Sequence, residues 1–115
     1  MDLEKIKVKL KDFSEERDWE QFHSPKNLAM ALSVEVAELV EIFQWANEGG
    51  AKEIKDPVIR KQIEEEIADI FNYLIKFVDL LDIDLEKISI EKIEKNAEKY
   101  PIDKSKGKAE KYNKI

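Results

Sequence analysis

The strongest constraint on this chain is how seldom it can turn. Across 115 residues, glycine and proline occur only three times each. Apart from Gly107 they fall at four places: Pro25, Gly49-Gly50, Pro57 and Pro101. The long stretches between them carry nothing that breaks a helix, a distribution foreign to turn-rich all-β folds. Two of the prolines directly follow an N-cap residue, as Ser24-Pro25 and Asp56-Pro57, the pairing that opens helices. Gly49-Gly50 reads as a stop.

Hydrophobic periodicity fills the intervals. A first helix is predicted over roughly residues 2–17, with Leu3, Ile6, Leu10 and Phe13 at helical spacing. Asp18 to His23 has no clear period and reads as a connection. The second helix opens at Ser24-Pro25 and runs to about Glu48, and the third opens at Asp56-Pro57 and runs to about Leu81. Asp84 caps a fourth, which reaches about Lys99 before Pro101, and the Lys-rich remainder reads as an extended tail. The prediction is all-α: one domain over residues 1–115, a four-helix bundle with short connections and a basic tail from about 100. No apolar run approaches the roughly 20 residues of a membrane span, and no signal-peptide pattern opens the chain, so a cytoplasmic, membrane-free protein is expected.

Composition narrows the chemistry. Without cysteine, disulfides, thiolate catalysis and Cys-ligated zinc are excluded. A single histidine, His23, removes multi-histidine metal sites. The net charge of −6 is unevenly spread: residues 95–115 hold seven lysines against three acids, so residues 1–94 are strongly acidic. Such a body repels nucleic-acid backbones, and no nucleic-acid polymer is expected as a partner. What it can attract is a divalent cation.

Two acidic pairs are placed for that role. With Glu35 as the reference on the second helix, Leu28, Leu32, Leu39 and Ile42 fall within about 60° of it, so Glu35 lies in the apolar stripe. Glu38 borders the stripe one turn on. On the third helix Glu66 and Asp69 border Ile63, Ile70, Leu74, Phe77 and Leu81 in the same way. Acidic residues three apart occur eight times, so spacing is unspecific and placement is what separates these two pairs. If the helices are antiparallel neighbours, four carboxylates converge, with mutual repulsion and desolvation that raise their pKa values. A hard cation such as Mg²⁺ removes that cost; neutralisation by neighbouring lysines is the alternative. Di-iron chemistry does not fit: Glu20-Gln21-Phe22-His23 matches Glu-x-x-His, but it lies in a connection and has no second histidine.

Trp19, Phe22 and His23 cluster in the first connection and Trp45 stands near the end of the second helix, where aromatic rings could stack on a planar base or simply pack. Tyr73 follows Asp69 by one turn, within reach of a phosphate or of the core. Asn96 and Lys99 close the fourth helix as candidate phosphate donors.

These blocks resemble a known family. The run from Arg17 through Trp19, Phe22, His23, Ser24-Pro25 and Asn27 to Leu28 is similar to the opening block of the dCTP pyrophosphatase branch of MazG-like nucleotide pyrophosphohydrolases. Glu35-Val36-Ala37-Glu38-Leu39 with Phe43-Gln44-Trp45, then Glu65-Glu66-Ile67-Ala68-Asp69, resemble its metal-binding blocks. Asn96 to Pro101 and Lys111-Tyr112 resemble its closing blocks. The resemblance implies an all-α bundle that hydrolyses nucleoside triphosphates to monophosphate and pyrophosphate with Mg²⁺. On that basis Glu35, Glu38, Glu66 and Asp69 are the metal ligands, Trp19 and Trp45 border the base, Tyr73 contacts substrate, and Asn96 and Lys99 meet the phosphates. The resemblance also implies homo-oligomers, dimeric or tetrameric. Apart from the resemblance, Glu38 is the carboxylate assigned to accept the water proton, and Phe22 and His23, which cluster with Trp19, are expected beside the base. Two positions depart from the family pattern. Leu10 stands near the place where animal members carry a histidine, and Ala37 where glycine is frequent.

Two other functions compete with this one. A phosphotransfer relay would need an exposed mid-helix histidine, and His23 lies in a connection. A catalytically idle bundle that binds nucleotides or partners would have no need of four retained carboxylates.

Overall fold

The structure, a computed structural model, describes residues 1–114. Five α-helices follow one another: α1 (Leu3–Glu16), α2 (Pro25–Phe43), α3 (Pro57–Leu80), α4 (Leu85–Lys99) and α5 (Ile102–Ser105). Single 3₁₀ turns occupy Glu20–Phe22, Glu48–Gly50, Glu53–Lys55 and Tyr112–Lys114, and the described residues contain no strand. The fold is all-α, but a count of four helices is too low. The expected extended tail instead contains α5 and a terminal 3₁₀ turn. One turn of helix carries no periodicity to read, which is why these pieces escape a pattern search.

The cap residues do what their chemistry allows. Ser24 Oγ accepts from the Asn27 amide at 3.1 Å, and Asp56 accepts from Val58 and Ile59 at 2.9 and 3.3 Å. Asp2 and Asp84 cap α1 and α4 through Lys5 and Lys87, both at 3.1 Å. Each such cap contributes about 1 kcal/mol.

The second helix stops at Phe43, not near Glu48. Glu48, Gly49 and Gly50 all adopt left-handed φ values of 54°, 67° and 86°, so α2 cannot run on through them and the turn there is irregular. The loop folds back so closely that a Cβ on Gly50 would lie 2.7 Å from the Phe43 ring. The stop signal therefore acts several residues before the glycines themselves.

Residues 1–81 and the residues from Asp82 onward form two compact units. In the first, α3 packs along α2 and also against α1. Glu35 lies eight residues before the end of α2 and Glu66 nine after the start of α3, yet they meet. Equal lengths of helix, about 12–14 Å, thus run back from the connection on both sides, as antiparallel neighbours require. The fully buried apolar side chains are Leu28, Ile75 and Val78. Ile75 and Val78 lie outside the single stripe read on α3, because a helix flanked by two others buries a second face. In the second unit, Tyr112 packs edge-on against Tyr100 with ring centroids 6.2 Å apart. No described helix is long and apolar enough to cross a membrane.

Candidate functional site

Helix register brings three of the four singled-out carboxylates together. One carboxylate oxygen each from Glu35, Glu38 and Glu66 lies within 4.8 Å of the other two. Glu35 and Glu66 are half-buried and Glu38 is exposed. The Oε2 atoms of Glu35 and Glu66 are buried without a hydrogen-bond partner. Burial, then the Glu38 and Glu66 carboxylates and the Asp69 charge, push the Glu35 carboxyl up to about 7. Burial also raises Glu66, with Glu38 adding to the effect. No lysine or arginine forms an ion pair with Glu35, Glu38, Glu66 or Asp69 among the described residues. Neutralisation by neighbouring lysines, the alternative left open by the sequence, is therefore not what the structure contains.

An all-oxygen donor set with two orphaned buried oxygens fits a hard divalent cation. Without one, the cluster holds extra protons near neutral pH.

Asp69, the fourth of these carboxylates, is not part of this group of three; its charge still acts on Glu35, and it lines a pocket of about 220 Å³. The pocket lies between α1, the first connection and α3, and Trp19, His23, Asp69, Asn72, Tyr73 and Lys76 line it together with Leu10, Phe13 and Ser14. Trp19 meets the Phe13 ring edge-on, with centroids 5.8 Å apart. Asp18, at φ 54°, reverses the chain after α1, and the Trp19 amide then bonds the Ser14 carbonyl at 2.9 Å. Burial and the nearby Lys76 charge lower the His23 pKa, keeping the ring neutral at neutral pH, and its buried Nδ1 has no partner. Burial raises the Tyr73 phenol, with Glu35 and Asp69 adding, so it is a proton donor over the whole neutral range.

Two other expected substrate contacts of the first unit, Phe22 and Trp45, are not among the residues that line the pocket. Phe22 is exposed, and Trp45 falls in the loop after α2, 86% exposed. Asn96 and Lys99 belong to the second unit, at the end of α4, where the Lys99 ammonium lies 5.0 Å from the Tyr112 ring centre. Sequence reasoning missed Phe13, Ser14, Asn72 and Lys76. Asn72 and Lys76 were findable, three and seven residues beyond Asp69 on one face of α3.

Comparison with known proteins gives this arrangement a context. The family model described as the MazG-like family matches residues 30–115. The chain is 40% identical over 111 residues to dCTP pyrophosphatase 1 of Rattus norvegicus, covering 96% of this chain and 65% of that protein. With dCTP pyrophosphatase 1 of Homo sapiens the identity is 36% over 114 residues, covering 98% and 67%. The chain thus spans about two thirds of the length of these relatives. A crystal structure of a pyrophosphatase from Archaeoglobus fulgidus is similar at a TM-score of 0.74 and 41% identity, covering 85% of this chain and 91% of that one. With its carboxylates brought together on α2 and α3, and with matches that run over most of its length, the chain belongs to the MazG-like family.

Proposed function

We propose that this chain hydrolyses nucleoside triphosphates, dCTP or a modified dCTP foremost, to the monophosphate and pyrophosphate. One observation carries this reading: a cluster of partnerless carboxylates beside a pocket lined with aromatic rings and by Asp69, whose charge acts on Glu35. Relatives named dCTP pyrophosphatase and pyrophosphatase support it.

Glu35, Glu38, Glu66 and Asp69 would hold Mg²⁺. Once bound, that ion supplies charge neutralisation on the triphosphate and on the carboxylates alike. The chain's own groups do the rest. Glu38 is the solvent-exposed member of the Glu35, Glu38 and Glu66 cluster and is assigned to take the proton from the attacking water. Trp19 offers a stacking face for the base, and neutral His23 a donor and an acceptor beside it. The Tyr73 phenol donates toward the sugar or the first phosphate. Asn96 and Lys99 are assigned to the remaining phosphates, in a reading that treats residues 1–115 as one working domain. Leu10 lines the pocket and offers no hydrogen bond, so discrimination among bases rests on shape and on Asn72 and His23.

The same reading makes the chain a cytoplasmic homo-oligomer. Few apolar side chains are fully buried, while Met30, Val34, Val36 and Val40 on α2 are each more than two-fifths exposed. A second copy is the occupant this reading assigns to that surface.

The test is a panel of canonical and modified (deoxy)nucleoside triphosphates incubated with the chain and Mg²⁺, with the phosphate products identified. Release of pyrophosphate and a monophosphate is the expected result. Release of orthophosphate and a diphosphate contradicts the proposal. Binding without turnover favours the catalytically idle bundle.

A further inference from the structure

Hydrogen bonds tie the connection between α1 and α2 at three points: its start, its end and its middle. At its start the Trp19 amide donates to the Ser14 carbonyl of α1 at 2.9 Å. At its end the Asn27 side-chain amide of α2 donates to the Phe22 carbonyl at 2.9 Å. Both are local in sequence. The third joins the Lys76 ammonium on α3 to the Glu20 carboxylate, 56 residues away. Every other side-chain hydrogen bond among the described residues joins positions five or fewer apart.

The position of this pair sets it apart from ordinary surface ion pairs, which contribute little. The Lys76 side chain is only 12% exposed, whereas that of Glu20 is 44% exposed. The Lys76 stem is thus packed into the structure while its ammonium reaches Glu20 at the surface, and Glu20 has its pKa lowered, chiefly by the hydrogen bond from Lys76. Lys76 follows Asp69, Asn72 and Tyr73 by seven, four and three residues, so all four share one face of α3. Glu20 opens the 3₁₀ turn that separates Trp19 from His23. The pair therefore ties the wall that carries Trp19 and His23 to the helix that carries Asp69 and Tyr73.

We infer that Lys76 is a positioning residue: through Glu20 it sets the distance between the aromatic wall of the pocket and the carboxylate-bearing face of α3. This inference rests on the reading of the pocket as the place where the nucleotide base sits. Lys76 itself need not touch the substrate. With the pair broken, the two local ties still hold the ends of the connection, but its middle is free to move away from α3.

The experiment compares Lys76→Met, Lys76→Arg, Glu20→Gln and the double variant Glu20→Gln/Lys76→Met in the full chain. Backbone ¹⁵N relaxation gives the first readout. In Lys76→Met and Glu20→Gln the order parameters of residues 19–23 should fall from about 0.85 to about 0.6 or less, with α3 unchanged. Lys76→Arg should retain the rigid values. The double variant should be no more mobile than the singles, since both remove one interaction. Kinetics give the second readout. The KM for the best triphosphate of the panel should rise about tenfold in Lys76→Met while kcat stays within about twofold, and Lys76→Arg should restore it. Unchanged order parameters at 19–23 in Lys76→Met overturn the inference. So does a drop in kcat with KM unmoved, which assigns Lys76 to the chemistry. If the parent hydrolyses no triphosphate, the functional reading fails, and the relaxation measurements still decide whether Lys76 positions the wall.

Discussion

The carboxylate cluster and the neighbouring pocket, which Asp69 lines, are built by opposite means. The cluster is assembled by helix register alone: Glu35 and Glu38 on α2 and Glu66 on α3 meet because two antiparallel helices pack side by side. The pocket depends on a connection that carries Trp19 and His23, reversed by a left-handed Asp18 and held to α3 by one ion pair. Rigid helices hold the groups that repel one another, and a connection fixed to α3 by a single long-range ion pair holds those that face the base. Like charges stay close only where a stiff scaffold forces them to.

That contrast separates the effects of substitution. The largest are expected at the cluster. Glu38→Gln and Asp69→Asn should each lower kcat/KM for triphosphate hydrolysis by about a thousandfold or more, with helical circular dichroism intact. Full activity in both variants would remove these residues from the site. Smaller effects are expected at the pocket. Trp19→Ala should raise KM by about tenfold to a hundredfold, matching about 1–3 kcal/mol of lost stacking, and should leave kcat and Mg²⁺ binding nearly unchanged. A Trp19 variant that lost Mg²⁺ binding would show that the cluster and the pocket form one unit.

The two regions also differ in how far the sequence revealed them. Periodicity placed Glu35 in the stripe with Leu28, and Leu28 is indeed almost fully buried. Proline and N-cap pairs located the starts of α2 and α3 to the residue, because capping is a local interaction. Non-local effects escaped. Ile75 and Val78 are buried although they lie outside the apolar stripe, because α3 packs against more than one helix, which no single-helix projection contains. The end of α2 is displaced to Phe43 by a loop that folds back from Gly50, so Trp45 lies in solvent, not at a helix terminus. Spacing from Asp69 puts Lys76 on the pocket face of α3 but carries no sign of its tie to Glu20, which lies 56 residues away.

The central claim is that the cluster is unfavourable without a cation, and it has a thermodynamic sign that ordinary packing lacks. Because the Glu35 carboxyl is pushed up to about 7 from 4.5, the folded chain binds more protons than the unfolded chain between those values. That contribution to stability is complete below about 4.5 and is lost as pH rises through about 7. The direct measurement is thermal unfolding of the parent and of Glu35→Gln from pH 5 to 8, each with and without Mg²⁺. The metal-free parent should lose stability across that range. Glu35→Gln should show a flatter profile and be the more stable protein at pH 8. Mg²⁺ at about 100 times its dissociation constant should stabilise the parent by about 2.7 kcal/mol and the variant far less. A variant less stable than the parent at pH 8 without metal, or an equal response of both to Mg²⁺, would contradict the account.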